Sequence, residues 1–127
     1  KIKLYAEKKY VRAVNGGTGE AKAAGNYASA IRPTEYAKAK GYDQVLWLDA
    51  HDFEYIQEVG TMNIFFKING KFITPNLSGS ILSGITRMSV IDLLRSKGFE
   101  VIERPITISE IIEASKNGTL EQRLELP

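Results

Sequence analysis

The sequence predicts an α/β fold in which a mixed sheet packs against helices. Short segments rich in β-branched and aromatic residues alternate with helical patterns along the chain. The dipeptide Asn69-Gly70 between two apolar runs indicates an antiparallel hairpin. An amphipathic helical pattern over residues 86–97 ends at Gly98, a residue typical of helix C-termini. These three observations favour one mixed domain over an all-α or all-β one.

Strands are predicted where apolar, β-branched and aromatic residues cluster. The seven segments of this kind are 2–6, 10–14, 45–48, 55–59, 63–68, 71–74 and 100–103. Trp47 and Phe65-Phe66 fall within them and are assigned to the core. Glycine-rich or polar stretches predict loops at 15–19, 50–54 and 75–84.

The first predicted helix spans residues 26–40, with Asn26 as a possible N-cap and Gly41 just past its end. Pro33 inside this stretch marks either a kink or a division into two shorter helices. In the second helix, residues 86–97, one face is formed by apolar side chains: Val90, Ile91, Leu93 and Leu94.

The third predicted helix opens at Thr107, whose spacing to Glu110 is that of a capping box, and ends near Asn117-Gly118. The charged residues 121–127 have no clear pattern and are predicted to lack regular structure.

Composition limits the classes of function. The chain has 127 residues, 43% of them hydrophobic, which suffices for one domain with a real core. Its 17 Lys and Arg are scattered among 15 Asp and Glu, so a nucleic-acid partner is not expected. The absence of cysteine excludes disulfides and thiol chemistry. No apolar run suits a membrane span or signal peptide, and a cytoplasmic location is expected.

Lys22 lies in a frame of small residues, 16–27. The frame is not a P-loop, because Ala21 and Ala23 flank Lys22, and a dinucleotide fingerprint would need glycine at position 22. Two interpretations remain. Lys22 is either a surface lysine beside a flexible loop, or an amine whose small neighbours let a cofactor aldehyde approach closely.

Glu58 stands at the end of an apolar segment, ahead of Gly60 and Thr61. It is either a solvated turn carboxylate or the partner of a pyridinium nitrogen. A carboxylate at that nitrogen keeps it protonated, and the ring then accepts electrons from a substrate carbanion.

Residues 80–87 run from a loop into a helix N-terminus. Unpaired amides, the positive end of the helix dipole and the Thr86 hydroxyl suit an anion there. The alternative is an ordinary capped helix start.

No metal site is predicted. His51 is the sole histidine and has no partner at ligand spacing, so we expect it to be solvated. Asp49, Asp52 and Glu54 cluster in a turn that has no further mark of a metal centre.

Several motifs follow one another between about residue 5 and about residue 120: Tyr10-Val11-Arg12-Ala13, Gly16-Gly17-Thr18-Gly19 with Lys22, Gly25-Asn26-Tyr27, Gln44-Val45-Leu46-Trp47-Leu48, Glu58-Val59-Gly60-Thr61-Met62-Asn63, Thr74-Pro75 and Gly84-Ile85-Thr86-Arg87. This ordered set resembles the branched-chain amino acid aminotransferases, which are class IV (fold type IV) pyridoxal-phosphate enzymes.

The resemblance implies pyridoxal 5'-phosphate as the cofactor and four residues around its ring. Lys22 matches the Schiff-base lysine, which then moves the proton between the substrate Cα and the cofactor C4′. Tyr27 matches the residue that hydrogen-bonds the phenolic oxygen, and Glu58 matches the partner of the pyridine nitrogen. Leu82 matches the residue that packs on the ring.

The resemblance assigns roles to three further residues. Ile85 and Thr86 match the loop that holds the phosphate, and Thr61 matches a position near the substrate. Ser83 stands where the family usually has proline. Because proline would stiffen that loop, the phosphate site is expected to be looser.

The implied reaction moves the amino group between leucine, isoleucine or valine and 2-oxoglutarate. The resemblance assigns residues 1–120 to part of the large C-terminal, cofactor-binding domain of the D-amino acid aminotransferase-like fold and leaves 121–127 unassigned. Family members carry an N-terminal domain before this segment and a Gly-Thr-rich loop after it. The chain is therefore expected to be a partial one, inactive alone, from a homodimeric parent enzyme.

Two alternatives stay open. A D-amino acid aminotransferase or an aminodeoxychorismate lyase would share the cofactor chemistry, although residues 59–63 favour the branched-chain enzymes. A truncated paralogue without catalysis would act instead as an interaction domain.

Overall fold

The computed structural model describes residues 2–127. The strands are β1 (Leu4–Ala6), β2 (Gln44–Leu48), β3 (Ile56–Val59), β4 (Asn63–Ile68), β5 (Lys71–Thr74), β6 (Val101–Glu103) and β7 (Leu120–Leu126). The helices are α1 (Ala24–Ala28), α2 (Ile31–Ala39), α3 (Ile85–Ser96) and α4 (Ile108–Lys116). None of the helices within residues 2–127 has the length and apolarity that a membrane crossing requires.

The strands form two sheets, each of mixed direction. In the first sheet, β2 pairs in parallel with β1 and antiparallel with β3. The second sheet has the order β6-β5-β4-β7, in which only the β5–β6 pair is parallel. The predicted mixture of parallel and antiparallel strands is therefore confirmed, but it is divided between two sheets.

Each sheet packs on both of its faces, because successive side chains of a strand point to opposite faces. On β2, Val45 and Trp47 pack with Ala37 of α2, while Leu46 joins a cluster that draws on both sheets. On β4, Ile64 belongs to that same shared cluster. The main core thus lies where the two sheets meet.

Helix α3 covers the other face of the second sheet. Ile91 is buried with side chains of β4, β5 and β6, and Val90 and Leu94 pack beside it. The prediction that Leu93 shares this face is wrong, since Leu93 is 53% exposed.

The predicted hairpin is confirmed. Ile68 of β4 pairs with Lys71 of β5, so the connection contains two residues. Asn69 and Gly70 both have positive φ, 49° and 75°, as the type I′ turn requires.

The predicted strand at residues 10–14 is wrong. The Glu7 carboxylate accepts hydrogen bonds from the backbone N–H groups of Lys9 (2.7 Å) and Tyr10 (3.2 Å). This turn diverts the chain, and the segment continues irregularly towards Lys22.

The long helix predicted over residues 26–40 is divided into α1 and α2, which was one of the two alternatives. Pro33 is the third residue of α2, where its missing N–H has no intrahelical acceptor to satisfy. The interpretation of Asn26 as an N-cap is wrong, because Asn26 lies within α1 and is buried. Gly41 follows α2 with φ of 81°, as expected.

The prediction that residues 121–127 lack regular structure is also wrong. Most of this segment belongs to β7, which pairs antiparallel with β4. Leu120, Leu124 and Leu126 alternate with charged residues, so the period of two is present but sparse. Lys67 of β4 and Glu121 of β7 add an ion pair at 2.8 Å.

Thr107 caps α4 as predicted. Its side-chain oxygen accepts a hydrogen bond from the Glu110 backbone N–H at 3.0 Å. The Glu110 carboxylate does not complete the capping box, because it pairs with Arg104.

Removal of this cap should be measurable. Replacing Thr107 with Ala leaves a helix N–H without its acceptor, and we expect the free energy of unfolding to fall by about 1 kcal/mol. Urea denaturation of the two proteins measures the difference. Thr107→Ser keeps the hydroxyl and serves as the matched control, expected to retain most of the stability. An alanine variant as stable as the wild type would contradict the capping role.

Candidate functional site

One cavity of about 580 Å³ brings the predicted site residues together. Its size is within the range of ligand pockets. All seven predicted residues line it, from positions as distant as 22 and 86: Lys22, Tyr27, Glu58, Thr61, Leu82, Ile85 and Thr86. Asn63, Ser83, Gly84 and Pro127 complete the wall.

Glu58 is the buried acid of this cavity. It lies on β3 and is 4% exposed, so the interpretation as a solvated turn carboxylate is wrong. Its Oε1 accepts a hydrogen bond from the Leu82 backbone N–H at 2.9 Å. Its Oε2 lies 3.2 Å from Nε of Arg12.

Arg12 joins three parts of the site. Besides its ion pair with Glu58, its Nη2 donates to the carbonyl of Gly19 at 3.1 Å and to the carbonyl of Ser80. The buried Nε–H is not directed at an acceptor, so its contact with Glu58 is ionic and not a hydrogen bond. A single guanidinium therefore connects the lysine-bearing loop, the loop before α3 and the acid on β3.

Opposing effects act on the Glu58 carboxyl. Burial raises its pKa above the ordinary value of 4.5, because the charged form loses hydration. The Arg12 charge and the Leu82 N–H lower the pKa, but they do not fully offset burial. The ionised form of Glu58 thus depends on these two neighbours.

Lys22 lies between the glycine turn and α1, and its side chain is exposed at the cavity. It makes no ion pair with any carboxylate of residues 2–127. Of the glycines before it, Gly19 has a packing function. At Gly19 a Cβ atom would overlap Ala13 and the Ser80 carbonyl, so this close approach requires glycine.

Helix α3 presents an uncapped N-terminus to the cavity. Gly84 precedes it with φ of 57°, and no side chain caps the helix. The first helical hydrogen bond is from the Met88 N–H to the Gly84 carbonyl, at 3.1 Å. The amides of Ile85 and Thr86 therefore lack intrahelical acceptors, which suits an anion. The alternative of an ordinary side-chain cap is wrong.

Asn63 holds the loop that leads into α3. Its Nδ2 donates to the Leu82 carbonyl at 2.9 Å, while the Leu82 N–H is held by Glu58. A Cβ at Gly84 would overlap Oδ1 of Asn63, so the loop passes close to this amide. Both backbone polar groups of Leu82 are thus fixed, and its side chain is directed by that constraint.

The acidic turn around Asp49 has a structural function. The Asp49 carboxylate accepts backbone N–H groups from four residues of its own loop: His51, Asp52, Glu54 and Tyr55. Within residues 2–127, no three His, Cys, Asp or Glu side chains are grouped as a metal site would need.

Four residues that contribute to the site were not predicted from the sequence to belong to it: Arg12, Asn26, Asn63 and Ser80. Arg12, Asn26 and Asn63 lie within motifs that matched the family, and Ser80 begins the segment 80–87. Their position in or near these motifs was the sole sign in the sequence that they contribute to the site. Their contacts join segments distant in sequence, and no local spacing encodes them.

Comparison with known proteins gives a consistent result. The family model for amino-transferase class IV matches residues 4–117. Branched-chain-amino-acid aminotransferase 2 of Bacillus subtilis (strain 168) is 58% identical over 121 residues, which are 95% of this chain and 33% of that protein. The chloroplastic branched-chain-amino-acid aminotransferase 5 of Arabidopsis thaliana is 45% identical over 91% of this chain and 28% of that protein. The chain thus spans about a third of the length of these curated relatives.

Solved structures share the fold. An aminotransferase from Brucella abortus, solved with the cofactor PLP, has a TM-score of 0.83 and 30% identity over 98% of this chain and 41% of its own. The branched-chain amino acid aminotransferase from Escherichia coli has a TM-score of 0.78 and 28% identity over 98% of this chain and 40% of its own. The family resemblance and the fold class inferred from the sequence are confirmed.

Removing the Arg12 charge should shift the titration of Glu58. We expect Arg12→Gln to raise the pKa of Glu58 further above 4.5, because burial is then less compensated. Arg12→Lys keeps a charge and should raise it less. The side-chain carboxyl ¹³C resonance of Glu58, followed by NMR against pH, measures these pKa values.

The Arg12 substitutions should also change how the free energy of unfolding depends on pH, in the same order in which they raise the pKa of Glu58. A buried acid with a raised pKa binds protons more readily folded than unfolded, so stability falls as pH rises from the unfolded to the folded pKa. Arg12→Gln should extend that fall to higher pH. Arg104→Gln, which removes the partner of Glu110, is the matched control and should leave Glu58 unchanged. A Glu58 pKa equal in wild type and Arg12→Gln would contradict the compensating effect of the Arg12 charge.

Proposed function

Because the chain belongs to the class IV aminotransferases, we propose that it is the cofactor-binding part of a pyridoxal-phosphate-dependent branched-chain amino acid aminotransferase. Its reaction moves an amino group between leucine, isoleucine or valine and 2-oxoglutarate. The observation that carries this proposal is the convergence of an amine, a phenol, a buried carboxylate and an uncapped helix N-terminus on one cavity. The 58% identity to a branched-chain enzyme supports the substrate class.

The residues present fit pyridoxal phosphate group by group. The cofactor has an aldehyde, a phenolic oxygen, a ring nitrogen and a phosphate, and the cavity offers a complementary group for each. When bound, it supplies an electron sink that makes the substrate Cα–H acidic. The protein residues supply orientation, charge balance and proton transfer.

Lys22 provides the amine. Lys22 would hold the cofactor through its amine at the aldehyde carbon, and the same amine, once free, would accept the proton of the substrate Cα and donate it at C4′. Small neighbours leave space for this movement, since Ala21 and Ala23 carry only methyl groups. The flexible stem of lysine lets one amine perform both tasks.

Glu58 and Tyr27 would orient the ring, one at its nitrogen and the other at its phenolic oxygen. An ionised Glu58 would accept a hydrogen bond from the protonated ring nitrogen and so keep the ring electron-poor. Arg12 and the Leu82 N–H favour this ionised form in a buried position. The Tyr27 hydroxyl lies at the cavity wall and would donate to the phenolic oxygen.

The remaining residues hold the phosphate and close the cavity. The free amides at Ile85 and Thr86 and the Thr86 hydroxyl would bind phosphate oxygens, and the helix dipole favours a negative charge there. Leu82, whose backbone is held at both polar groups, would pack on the ring face. Thr61 contacts the substrate from the turn between β3 and β4.

Covalent labelling tests the proposal directly. The 127-residue chain is incubated with pyridoxal phosphate, reduced with borohydride and digested for peptide mapping. We expect the label to concentrate on Lys22 and to disappear from that peptide in Lys22→Ala. Lys38→Ala removes an exposed lysine paired with Glu35 on α2 and is the matched control, expected to label like the wild type.

Two outcomes would decide against the proposal. Label spread evenly over the lysines, or absent from Lys22, would contradict the cofactor role and favour a non-catalytic domain. Amino transfer from D-alanine with none from leucine, assayed with the complete parent enzyme, would overturn the substrate class and leave the cofactor role intact.

A further inference from the structure

Asn26 is a buried polar residue to which the proposed mechanism gives no role. It lies within α1, four residues after Lys22, and is 7% exposed. Its side chain makes three hydrogen bonds. Oδ1 accepts from the Thr18 hydroxyl at 2.7 Å, and Nδ2 donates to the carbonyls of Thr18 (2.7 Å) and Ala21 (2.9 Å).

These hydrogen bonds close the chain around Lys22. Thr18 and Ala21 precede the lysine and Asn26 follows it, so one side chain ties the two ends of the segment together. Two backbone hydrogen bonds tighten the interior, from Ala21 N–H to the Thr18 carbonyl (3.0 Å) and from Asn26 N–H to the Ala23 carbonyl (3.1 Å). Lys22 therefore projects from a backbone that is held on both sides.

The same segment is fixed to the wall of the cavity. The Gly19 carbonyl accepts from Nη2 of Arg12, whose guanidinium also pairs with Glu58. Gly19 packs so closely on Ser80 that a Cβ has no space. The lysine loop is thus held by Arg12 at one point and by Asn26 at another, with Lys22 between Gly19 and Asn26 in the chain.

We infer that Asn26 is a positioning residue that sets the direction in which Lys22 leaves the backbone and so places its amine in the cavity. This inference rests on the proposed function of Lys22. The amide is the suitable group for the task, because the Thr18 hydroxyl needs an acceptor and the two carbonyls need donors. A carboxylate at this position would face both carbonyls without a proton to donate.

The closest probe of this role is Asn26→Asp, which keeps the shape and the acceptor for Thr18 and removes both donors. Two quantities are measured. One is the rate at which pyridoxal phosphate and borohydride label Lys22, relative to Lys38 in the same digest. The other is hydrogen exchange of the backbone amides of Ala21 and Asn26 in the chain without cofactor.

We expect Asn26→Asp to speed exchange within residues 18–26, to leave α4 unchanged and to slow labelling of Lys22 by roughly 10- to 100-fold, as misplacement of a reacting group does. Thr18→Val removes the hydroxyl and leaves both amide hydrogen bonds, so a smaller slowing is expected. It keeps the test valid if Asn26→Asp fails to fold. Asn117→Asp, an exposed amide that contacts Glu113, is the matched control and should change neither quantity.

The outcomes separate this inference from the proposed function. Labelling of Lys22 at the wild-type rate in Asn26→Asp, with or without faster exchange, would overturn the positioning role alone. The same holds if Asn26→Asp does not fold and Thr18→Val labels at the wild-type rate. Absence of label on Lys22 in the wild type would overturn the proposed function and the positioning role together.

Discussion

The ion pair of Arg12 and Glu58 is the contact on which the geometry of the site depends. The two groups approach to 3.2 Å with both side chains almost fully buried. An unpaired buried charge is costly, so each member constrains the other. Because Arg12 also binds the carbonyls of Gly19 and Ser80, this constraint fixes the lysine loop and the loop before α3 relative to β3.

The layered fold provides the frame for this pair. Alternating apolar side chains join the two sheets and seat α2 and α3 on their outer faces. Glu58 projects from a rigid strand and the free amides from a packed helix, while Lys22 lies on an irregular loop. Binding and catalytic residues commonly lie on loops that a rigid scaffold positions. Here hydrogen bonds from side chains replace regular structure in the loop.

Local patterns predicted the elements whose cause is local, such as the Asn69-Gly70 turn and the Thr107 cap. The predictions failed where a side-chain contact or pairing with a distant strand outweighs the intrinsic propensity of the segment. Residues 10–14 have strand-forming composition, but Glu7 turns the chain, and residues 121–127 acquire order only by pairing with β4. The candidate site was predictable through ordered motifs, whereas the contacts of Arg12 that hold it span as many as 68 residues.

A double-mutant cycle on Arg12 and Glu58 tests the central constraint most directly. The free energy of unfolding is measured for the wild type, Arg12→Met, Glu58→Gln and the double variant by denaturant titration. If the pair holds the loops together, each single change should cost about 3–5 kcal/mol, since it leaves a buried charge unpaired. The double variant should then lose less than the sum, with a coupling of about 1–3 kcal/mol. Losses that add, with no coupling, would contradict the structural role of this ion pair.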